Sequence, residues 1–206
     1  RKGIFVGTHV TKCAGVPDRD FADLADDIQS LNGKTFAVLD EECGKKMQDA
    51  ILAAAADGDS VGGIIECAAI GLPAGLGDPM FDGIENRLAA ALFGIPAVKG
   101  VEFGAGFGFS TMRGSEANDP LRMQNGRVVT TTNHNGGING GITNGMPVIF
   151  SCAVKPTPSI YKKQDTVDFI NREKLFSKLL RNDKDSLEEL LILKKELENS
   201  KEDYDL

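Results

Sequence analysis

A glycine-rich stretch between two runs of β-branched residues constrains the fold of this chain more than any other feature. Residues 130–160 read TTTNHNGGINGGITNGMPVIFSCAVKPTPSI, with glycine pairs at Gly136-Gly137 and Gly140-Gly141. Glycine adopts positive φ without steric cost and lets another backbone or a ligand approach closely. Successive backbone N–H groups in such loops form concavities that bind anions. The stretch therefore indicates either a site for a phosphate-bearing ligand or a glycine-rich turn between two strands.

The end of this stretch favours the ligand interpretation. It closes on the pentapeptide Lys155-Pro156-Thr157-Pro158-Ser159. The two prolines restrict the backbone, the lysine supplies a cation, and the two hydroxyl groups supply hydrogen-bond donors. Such a segment can hold the phosphate of a cofactor or of a substrate at a fixed position.

Composition and charge limit the classes of partner. The net charge of −7 argues against a nucleic-acid surface. No apolar run reaches the roughly 18 residues that a membrane-spanning helix needs. No signal peptide pattern opens the sequence, and because its first residue is not methionine we expect a fragment or a processed chain. The four scattered cysteines predict free thiols in a reducing cytoplasm, and with two histidines a zinc site is not expected.

Strand and helix patterns alternate along the first 169 residues, which predicts a mixture of helix and sheet. Helical spacing predicts a helix over residues 18–31 with Asp18 as its N-cap. A second predicted helix covers residues 40–57 and turns Met47, Ile51 and Leu52 toward the core, and a third covers residues 81–93. The segments with extended character are residues 3–10, 35–39, 60–70, 94–109, 127–132 and 148–154.

The last part of the chain has a different composition. From residue 170 to residue 206 there is no glycine or proline, and charges of both signs alternate around leucines. This pattern predicts one or two amphipathic, highly charged helices. We therefore divide the chain into a domain at residues 1–169 and a helical tail at residues 170–206.

Three long blocks carry a resemblance to a known family. They are residues 38–100, residues 98–120 (VKGVEFGAGFGFSTMRGSEANDP) and residues 132–160. In this order the blocks are similar to the chorismate synthase family, and the resemblance runs from about Lys2 to Asp168. It implies an α+β fold, a portion of the family's β-α-β sandwich, followed by the charged helical tail.

The resemblance also implies an activity. Members of the family are lyases that convert 5-enolpyruvylshikimate 3-phosphate to chorismate and phosphate by a 1,4-anti elimination in the shikimate pathway. The reaction needs reduced FMN although it has no net redox change. The family further implies a cytoplasmic homotetramer, and a separate flavin reductase is one source of the reduced cofactor.

Site residues follow from the matching positions. The resemblance places FMN contacts on Ala97, Gly140, Lys155, Pro156, Thr157, Pro158 and Ser159. The family often has Asn-Ala before the KGVE block, whereas this chain has Pro96-Ala97, so only the alanine transfers. Arg113, Ser115 and Glu116 fall in a segment that resembles the family's mobile loop over the pocket. No metal ligand is implied.

Three family blocks do not occur in the 206 residues. They are the Gly-x-Ser-His-Gly segment with a catalytic histidine, the Arg-Ser-Ser-Ala-Arg block, and the Arg-His-Asp-Pro block. No catalytic residue can therefore be assigned, and we expect the isolated chain to be inactive. His9 is expected to be a strand residue with a satisfied ring, and His134 a loop residue that makes a local hydrogen bond.

Two further interpretations stay open. The chain could be a non-catalytic binding or assembly module that docks a partner through its helical tail. The number of arginines able to bind substrate phosphate distinguishes this module from the enzyme. Only Arg113 lies in a block at the expected pocket. A generic nucleotide-phosphate binder is less well supported, because residues 104–108 (GAGFG) do not fit the GxGxxG spacing.

Overall fold

Antiparallel strands build the main sheet of this protein. Their spatial order is Val16–Pro17, Phe5–Cys13, Gly63–Ile70, Val148–Val154 and Val98–Phe103. The computed structural model describes residues 3–167 and a strand at residues 174–177. Its strands are β1 Phe5–Cys13, β2 Val16–Pro17, β3 Gly63–Ile70, β4 Val98–Phe103, β5 Leu121–Gln124, β6 Arg127–Thr130, β7 Ile138–Asn139, β8 Ile142–Thr143, β9 Val148–Val154, β10 Gln164–Val167 and β11 Lys174–Ser177. Its α-helices are α1 Leu24–Ser30, α2 Glu41–Ala56, α3 Ile84–Phe93 and α4 Gly114–Ala117.

Two compact units divide the chain. The first comprises residues 1–53 and 61–157 and contains the main sheet; the second comprises residues 54–60 and 158–206 and contains the β10–β11 hairpin. In the second unit, the backbone N–H of Tyr161 donates to the carbonyl of Gly58 (2.8 Å). The predicted boundary at residue 169 borders on residues outside the description and stays a prediction.

The core of the first unit lies where α2 meets the sheet. Cys13, Val38 and Met47 form a buried cluster. The partly buried residues packed against it are Val10, Val16, Phe36, Ile51 and Val61. Met47 is 0% exposed, as its position in the predicted helix suggested, and Ile51 reaches the same cluster. The prediction for Leu52 is wrong, because 66% of this residue is exposed.

The mixture of helix and sheet confirms the predicted fold class, and several predicted boundaries need correction. Helix α1 starts six residues later than expected, because Asp23, not Asp18, caps it by accepting from the N–H groups of Ala25 and Asp26. Helix α3 begins at Ile84 after a short 3-10 turn, and residues 35–39 contain no strand. In the segment predicted as extended from residue 94, β4 ends at Phe103 and a 3-10 helix follows at Gly106–Thr111.

The predicted helical tail is wrong at residues 174–177. These residues form β11, which pairs antiparallel with β10. Residues 174–177 read Lys-Leu-Phe-Ser, which is too short a segment for its periodicity to distinguish a strand from a helix, and pairing with β10 decides between them. The remainder of the predicted tail lies outside the described residues.

His9 lies on β1 with its ring fully enclosed, as expected for a satisfied strand residue. Its Nδ1 is 2.9 Å from Oδ2 of Asp18, and its Nε2 is 3.0 Å from Oε2 of Glu66 on β3. Asp18 also accepts from the backbone N–H groups of Leu39 (2.6 Å) and Asp40 (2.9 Å). Burial lowers the pKa of His9, but its hydrogen bonds to the two carboxylates outweigh burial and raise the pKa above the ordinary value.

The network has a structural consequence. A protonated imidazole carries two N–H donors and can serve both carboxylates at once, whereas a neutral ring carries one. Asp40 in turn accepts from the N–H groups of Glu42 and Cys43 in the first turn of α2. His9 and Asp18 thus join the sheet to the segment that starts α2.

Within the described residues, no helix has the length and apolarity needed to cross a membrane. All four cysteines are free thiols, in agreement with the sequence prediction. The described side chains include no group of three or more histidines, cysteines or acids arranged to hold a metal ion.

The His9 network predicts a pH dependence of stability. Because the folded-state pKa of His9 is raised, its contribution is fully present below about 6.5 and is lost as pH rises through the folded pKa. We expect the free energy of unfolding in urea to fall by about 1.5–3 kcal/mol between pH 6 and pH 9, the contribution of one hydrogen bond to a charged group. The variant H9Q should lack this fall.

The second histidine is the matched control. H134Q should keep the full pH dependence, because the His134 ring is half-exposed and takes no part in the network. Equal pH profiles for H9Q and the unaltered chain would show that His9 does not carry the effect.

Candidate functional site

The pairing of β4 with β9 brings two of the predicted flavin residues together. The backbone N–H of Lys155, just after β9, donates to the carbonyl of Ala97, just before β4 (2.9 Å). Ala97 has a φ of +72°, a conformation that is uncommon for a residue with a side chain. The Lys155 side chain is exposed, and its ammonium has no ion pair within the described part of the chain. This corner therefore offers a free cation beside a constrained backbone.

The second glycine pair forms the turn of a small hairpin. Asn139 pairs with Ile142, so Gly140 and Gly141 are the two turn residues between β7 and β8. Their φ angles are +61° and +85°, which two-residue hairpin turns of this kind require. This glycine pair is therefore a turn between two strands, and the flavin contact at Gly140 stays a prediction.

The two turn glycines differ in their surroundings. A Cβ on Gly141 would lie 2.6 Å from the carbonyl oxygen of Asp78 and 2.9 Å from the Cα of Gly83, so this glycine packs against backbone at the start of α3. The carbonyl of Gly141 also accepts from the N–H of Ile84 (2.9 Å). A Cβ on Gly140 would meet nothing within 4 Å. Gly140 thus leaves open space in front of the hairpin, where a ligand can approach the backbone.

The first glycine pair is used for packing. A Cβ on Gly136 would lie 2.6 Å from the N of Gly104 and from the carbonyl oxygen of Ile149, and a Cβ on Gly137 would lie 2.4 Å from the carbonyl oxygen of Pro147. Both residues are buried. Close backbone-to-backbone contact, not ligand approach, explains these two glycines.

Gly140 and Lys155 lie toward opposite ends of β9. The β7–β8 hairpin precedes this strand and Lys155 follows it. A strand of seven residues spans about 20 Å at about 3.3 Å per residue. The structure therefore brings Ala97 and Lys155 together but does not place Gly140 beside them.

The predicted flavin pentapeptide continues into the second unit after Thr157. There the carbonyl of Pro158 accepts from the N–H of Ile160 and from Nε2 of Gln164 (both 3.1 Å). Lys162 Nζ lies 2.5 Å from Asp57 and 2.9 Å from Asp59, and these two hydrogen bonds raise the pKa of the lysine. Pro156 and Ser159 are exposed.

The predicted substrate loop carries its three residues on and beside the short helix α4. Arg113 precedes the helix, and its backbone N–H donates to Oε2 of Glu116 (2.8 Å). Arg113, Ser115 and Glu116 are all exposed. The Arg113 guanidinium forms no ion pair among the described residues, so its charge is available to an anion.

Both ends of this loop converge on the backbone of His134. At the start, the N–H of Ala105 donates to the carbonyl of His134 (2.7 Å). At the end, the N–H of His134 donates to Oδ1 of Asp119 (2.8 Å). The half-buried His134 is a loop residue as expected, but the hydrogen bonds described here are made by its backbone to distant residues, Ala105 and Asp119, and are not local.

Asp119 is the residue that sequence reasoning missed. Besides His134, it accepts from Oγ1 of Thr132 (2.6 Å), from the N–H of Asn135 (3.0 Å) and from Nδ2 of Asn135 (2.8 Å). Burial opposes ionisation, but these hydrogen bonds outweigh it and lower the pKa of Asp119 to about 2. The only signal in the sequence is its place between a loop and Pro120, which many aspartates share.

A cavity on one face of the sheet was also not anticipated. It encloses about 180 Å³ and is lined by Ile64, Gly100, Val101, Glu102, Phe107, Ser151 and Ala153. Glu102 and Ser151 are directly opposite in the β4–β9 register, and Ser151 is opposite Glu66 on β3. None of the predicted site residues lines this cavity.

The chain is similar in sequence to proteins of one known family. The profile of the chorismate synthase family matches residues 1–191. The chorismate synthase of Thermococcus gammatolerans is 59% identical over 129 residues, which are 63% of this chain and 36% of that protein. The chorismate synthase of Methanosarcina acetivorans is 43% identical over 173 residues, or 84% of this chain and 47% of that protein.

A crystal structure of chorismate synthase has the same fold. It superimposes with a TM-score of 0.69 at 30% sequence identity, over 75% of this chain and 50% of that chain. The present chain spans between about a third and a half of the length of these relatives.

The fold and the family profile define a mixed helix-and-sheet protein from a family of lyases. The chain belongs to the chorismate synthase family. The family profile extends to residue 191. The motifs in the sequence had carried the resemblance only as far as Asp168.

The surroundings of the glycines predict different costs of substitution. G136A should lower the free energy of unfolding by about 3 kcal/mol or more, because its Cβ would meet two backbone atoms at a positive φ. G140A should cost only about 1–2 kcal/mol, because it meets the positive φ alone. Urea unfolding of the two variants measures the difference, and equal costs would contradict the assignment of Gly140 to open space.

Proposed function

We propose that this chain carries flavin- and substrate-binding surfaces for the chorismate synthase reaction. In that reaction, 5-enolpyruvylshikimate 3-phosphate loses phosphate by a 1,4-anti elimination that requires reduced FMN. The observation that supports the proposal is the hydrogen bond of 2.9 Å from the backbone N–H of Lys155 to the carbonyl of Ala97, which joins two of the residues that the resemblance assigns to FMN. Membership of the family supplies the reaction class.

The residues present suit a flavin phosphate or a ring carbonyl. Lys155 offers an exposed ammonium, and Thr157 and Ser159 carry hydroxyl groups on a segment stiffened by Pro156 and Pro158. Gly140 offers backbone at the edge of open space. We propose that these residues, with Ala97, hold FMN, which when bound in its reduced form supplies the electron that the elimination needs.

The loop with Arg113 is the proposed contact to the substrate. Its guanidinium can bind a phosphate oxygen pair in a bidentate manner. Ser115 offers a hydroxyl donor two residues further along. Glu116 holds the start of α4 through its bond to the Arg113 N–H, and so orients the arginine. The proposed role of these residues is to bind and orient the substrate. We assign no proton transfer to them.

An oligomer would reconcile the distance between the two proposed flavin contacts. Gly140 and Lys155 lie toward opposite ends of β9, a strand of seven residues that spans about 20 Å. In a homo-oligomer, such as the tetramer that the family implies, Gly140 of one copy and Lys155 of another can reach the same cofactor. We further propose a cytoplasmic enzyme that obtains reduced FMN from a flavin reductase.

A flavin titration tests the proposal. The purified chain should bind FMN saturably, followed by flavin absorbance and fluorescence, both oxidised and reduced with dithionite. K155M should weaken binding about tenfold, because a lost charge-assisted contact costs about 1.4 kcal/mol. K45M is the matched control: Lys45 is an exposed lysine on α2 away from the proposed contacts, and its removal should leave affinity unchanged.

The outcomes separate the two functional interpretations. Binding that the substrate tightens supports a flavin site of the enzyme. Absence of binding at high micromolar FMN would contradict it and favour a non-catalytic binding or assembly module.

A turnover assay tests the role of the missing blocks. With reduced FMN and 5-enolpyruvylshikimate 3-phosphate under anaerobic conditions, the 206 residues alone should form no chorismate, because they contain none of the three catalytic blocks. Chorismate absorbance is the readout, and a full-length relative is the positive control. Measurable turnover by the isolated chain would show that those blocks are dispensable.

A further inference from the structure

The loop that carries Arg113 makes most of its backbone hydrogen bonds within its own segment. The backbone hydrogen bonds of residues 108–118 run within the segment or back to Ala105, including those from Met112 to Phe109 and from Asn118 to Gly114. Phe107, at its start, adds one bond from its N–H to Oε2 of Glu102 (3.1 Å). A segment closed on itself in this way keeps its own shape, and its orientation depends on how its ends are attached.

The two ends are attached to a single residue by different means. The starting end is a backbone contact, in which the N–H of Ala105 bonds the carbonyl of His134 and Gly104 packs so closely that a Cβ would lie 2.0 Å from that oxygen. At the final end, the carboxylate of Asp119 adds to one backbone hydrogen bond, from the N–H of Thr131 to the carbonyl of Pro120 (3.0 Å). The four hydrogen bonds of this carboxylate reach across to Thr132, His134 and Asn135.

We propose that Asp119 is a positioning residue that latches the loop of residues 106–118 against the turn at residues 132–135, and thereby holds Arg113 where it binds the substrate phosphate. The second part rests on the proposed function; the latch itself does not. Asp119 acts through Arg113 and touches no ligand. An ionised carboxylate accepts from all four donors at once, and the low pKa of Asp119, about 2, means that it stays ionised throughout the physiological range.

The variant D119N weakens the latch with little change in side-chain shape. One of its two oxygens becomes an amide donor that faces the donors of Asn135, so half of the acceptor capacity is lost. T132V removes a single donor, the hydroxyl that bonds Oδ1 of Asp119. D78N is the matched control, since Asp78 also precedes a proline, is largely exposed, and reaches Arg87 only at 4.0 Å.

Limited trypsin digestion of the full chain reads the latch without any ligand. Cleavage of a transiently opened segment follows the population of its open form. We expect cleavage after Arg113 to become about tenfold faster in D119N, about threefold faster in T132V and unchanged in D78N. Cleavage after Arg87 on α3 serves as the internal reference and should stay constant.

Ligand affinities then test the positioning of Arg113. In D119N the affinity for 5-enolpyruvylshikimate 3-phosphate, measured on the FMN-loaded chain, should fall about tenfold while the FMN affinity changes less than twofold. A purely structural role would weaken both ligands together and lower the unfolding midpoint.

Each other outcome has a definite meaning. Unchanged cleavage after Arg113 in D119N, or equal acceleration at Arg87 and Arg113, overturns the latch. If D119N does not fold, the threefold change in T132V decides. If the unaltered chain binds neither FMN nor substrate, the proposed function fails, whereas the digestion still decides on the latch.

Discussion

The pairing of β9 with both β3 and β4 is the constraint on which the candidate site depends. It fixes Lys155 at the carbonyl of Ala97 on one end of the strand and presents the turn at residues 132–137 on the other. Ile149 on β9 exchanges hydrogen bonds with Gly104 and Gly136, so the loop after β4 and the glycine turn are held to the same strand. Backbone pairing thus positions the proposed contacts of both cofactor and substrate.

Glycines serve two physical purposes that look identical in the sequence. Gly104, Gly136 and Gly141 allow backbone segments to approach within distances that a Cβ would forbid. Gly140 meets the same conformational demand but has open space before it. The resemblance placed a flavin contact on Gly140 alone among these, and the sequence gives no reason for that difference, since it depends on which other backbone packs against each residue.

Two aspartates organise backbone in the same manner at separate places. Asp18 accepts from Leu39, Asp40 and His9, and Asp119 accepts from a turn that precedes β7. In both cases a carboxylate partly withdrawn from water satisfies N–H groups outside regular structure, and these bonds lower its pKa. Asp18 had the sequence signature of a helix cap, which shows that an Asp before a helical pattern does not by itself identify the cap. A residue so used contributes to order around a site without touching a ligand.

The sequence by itself determined the family, the mixed fold class, the strand at residues 148–154, helix α2 and the set of residues proposed to bind FMN. These depend on local periodicity and on long matching blocks, both of which are properties of the chain order. Only the tertiary structure decided that α1 begins after Asp23, that residues 174–177 are a strand, that Ala97 meets Lys155 while Gly140 does not, and that Asp119 closes the loop. These features arise from contacts between segments distant in sequence, and such contacts override local propensity because they supply the hydrogen-bond partners and burial that a segment lacks alone.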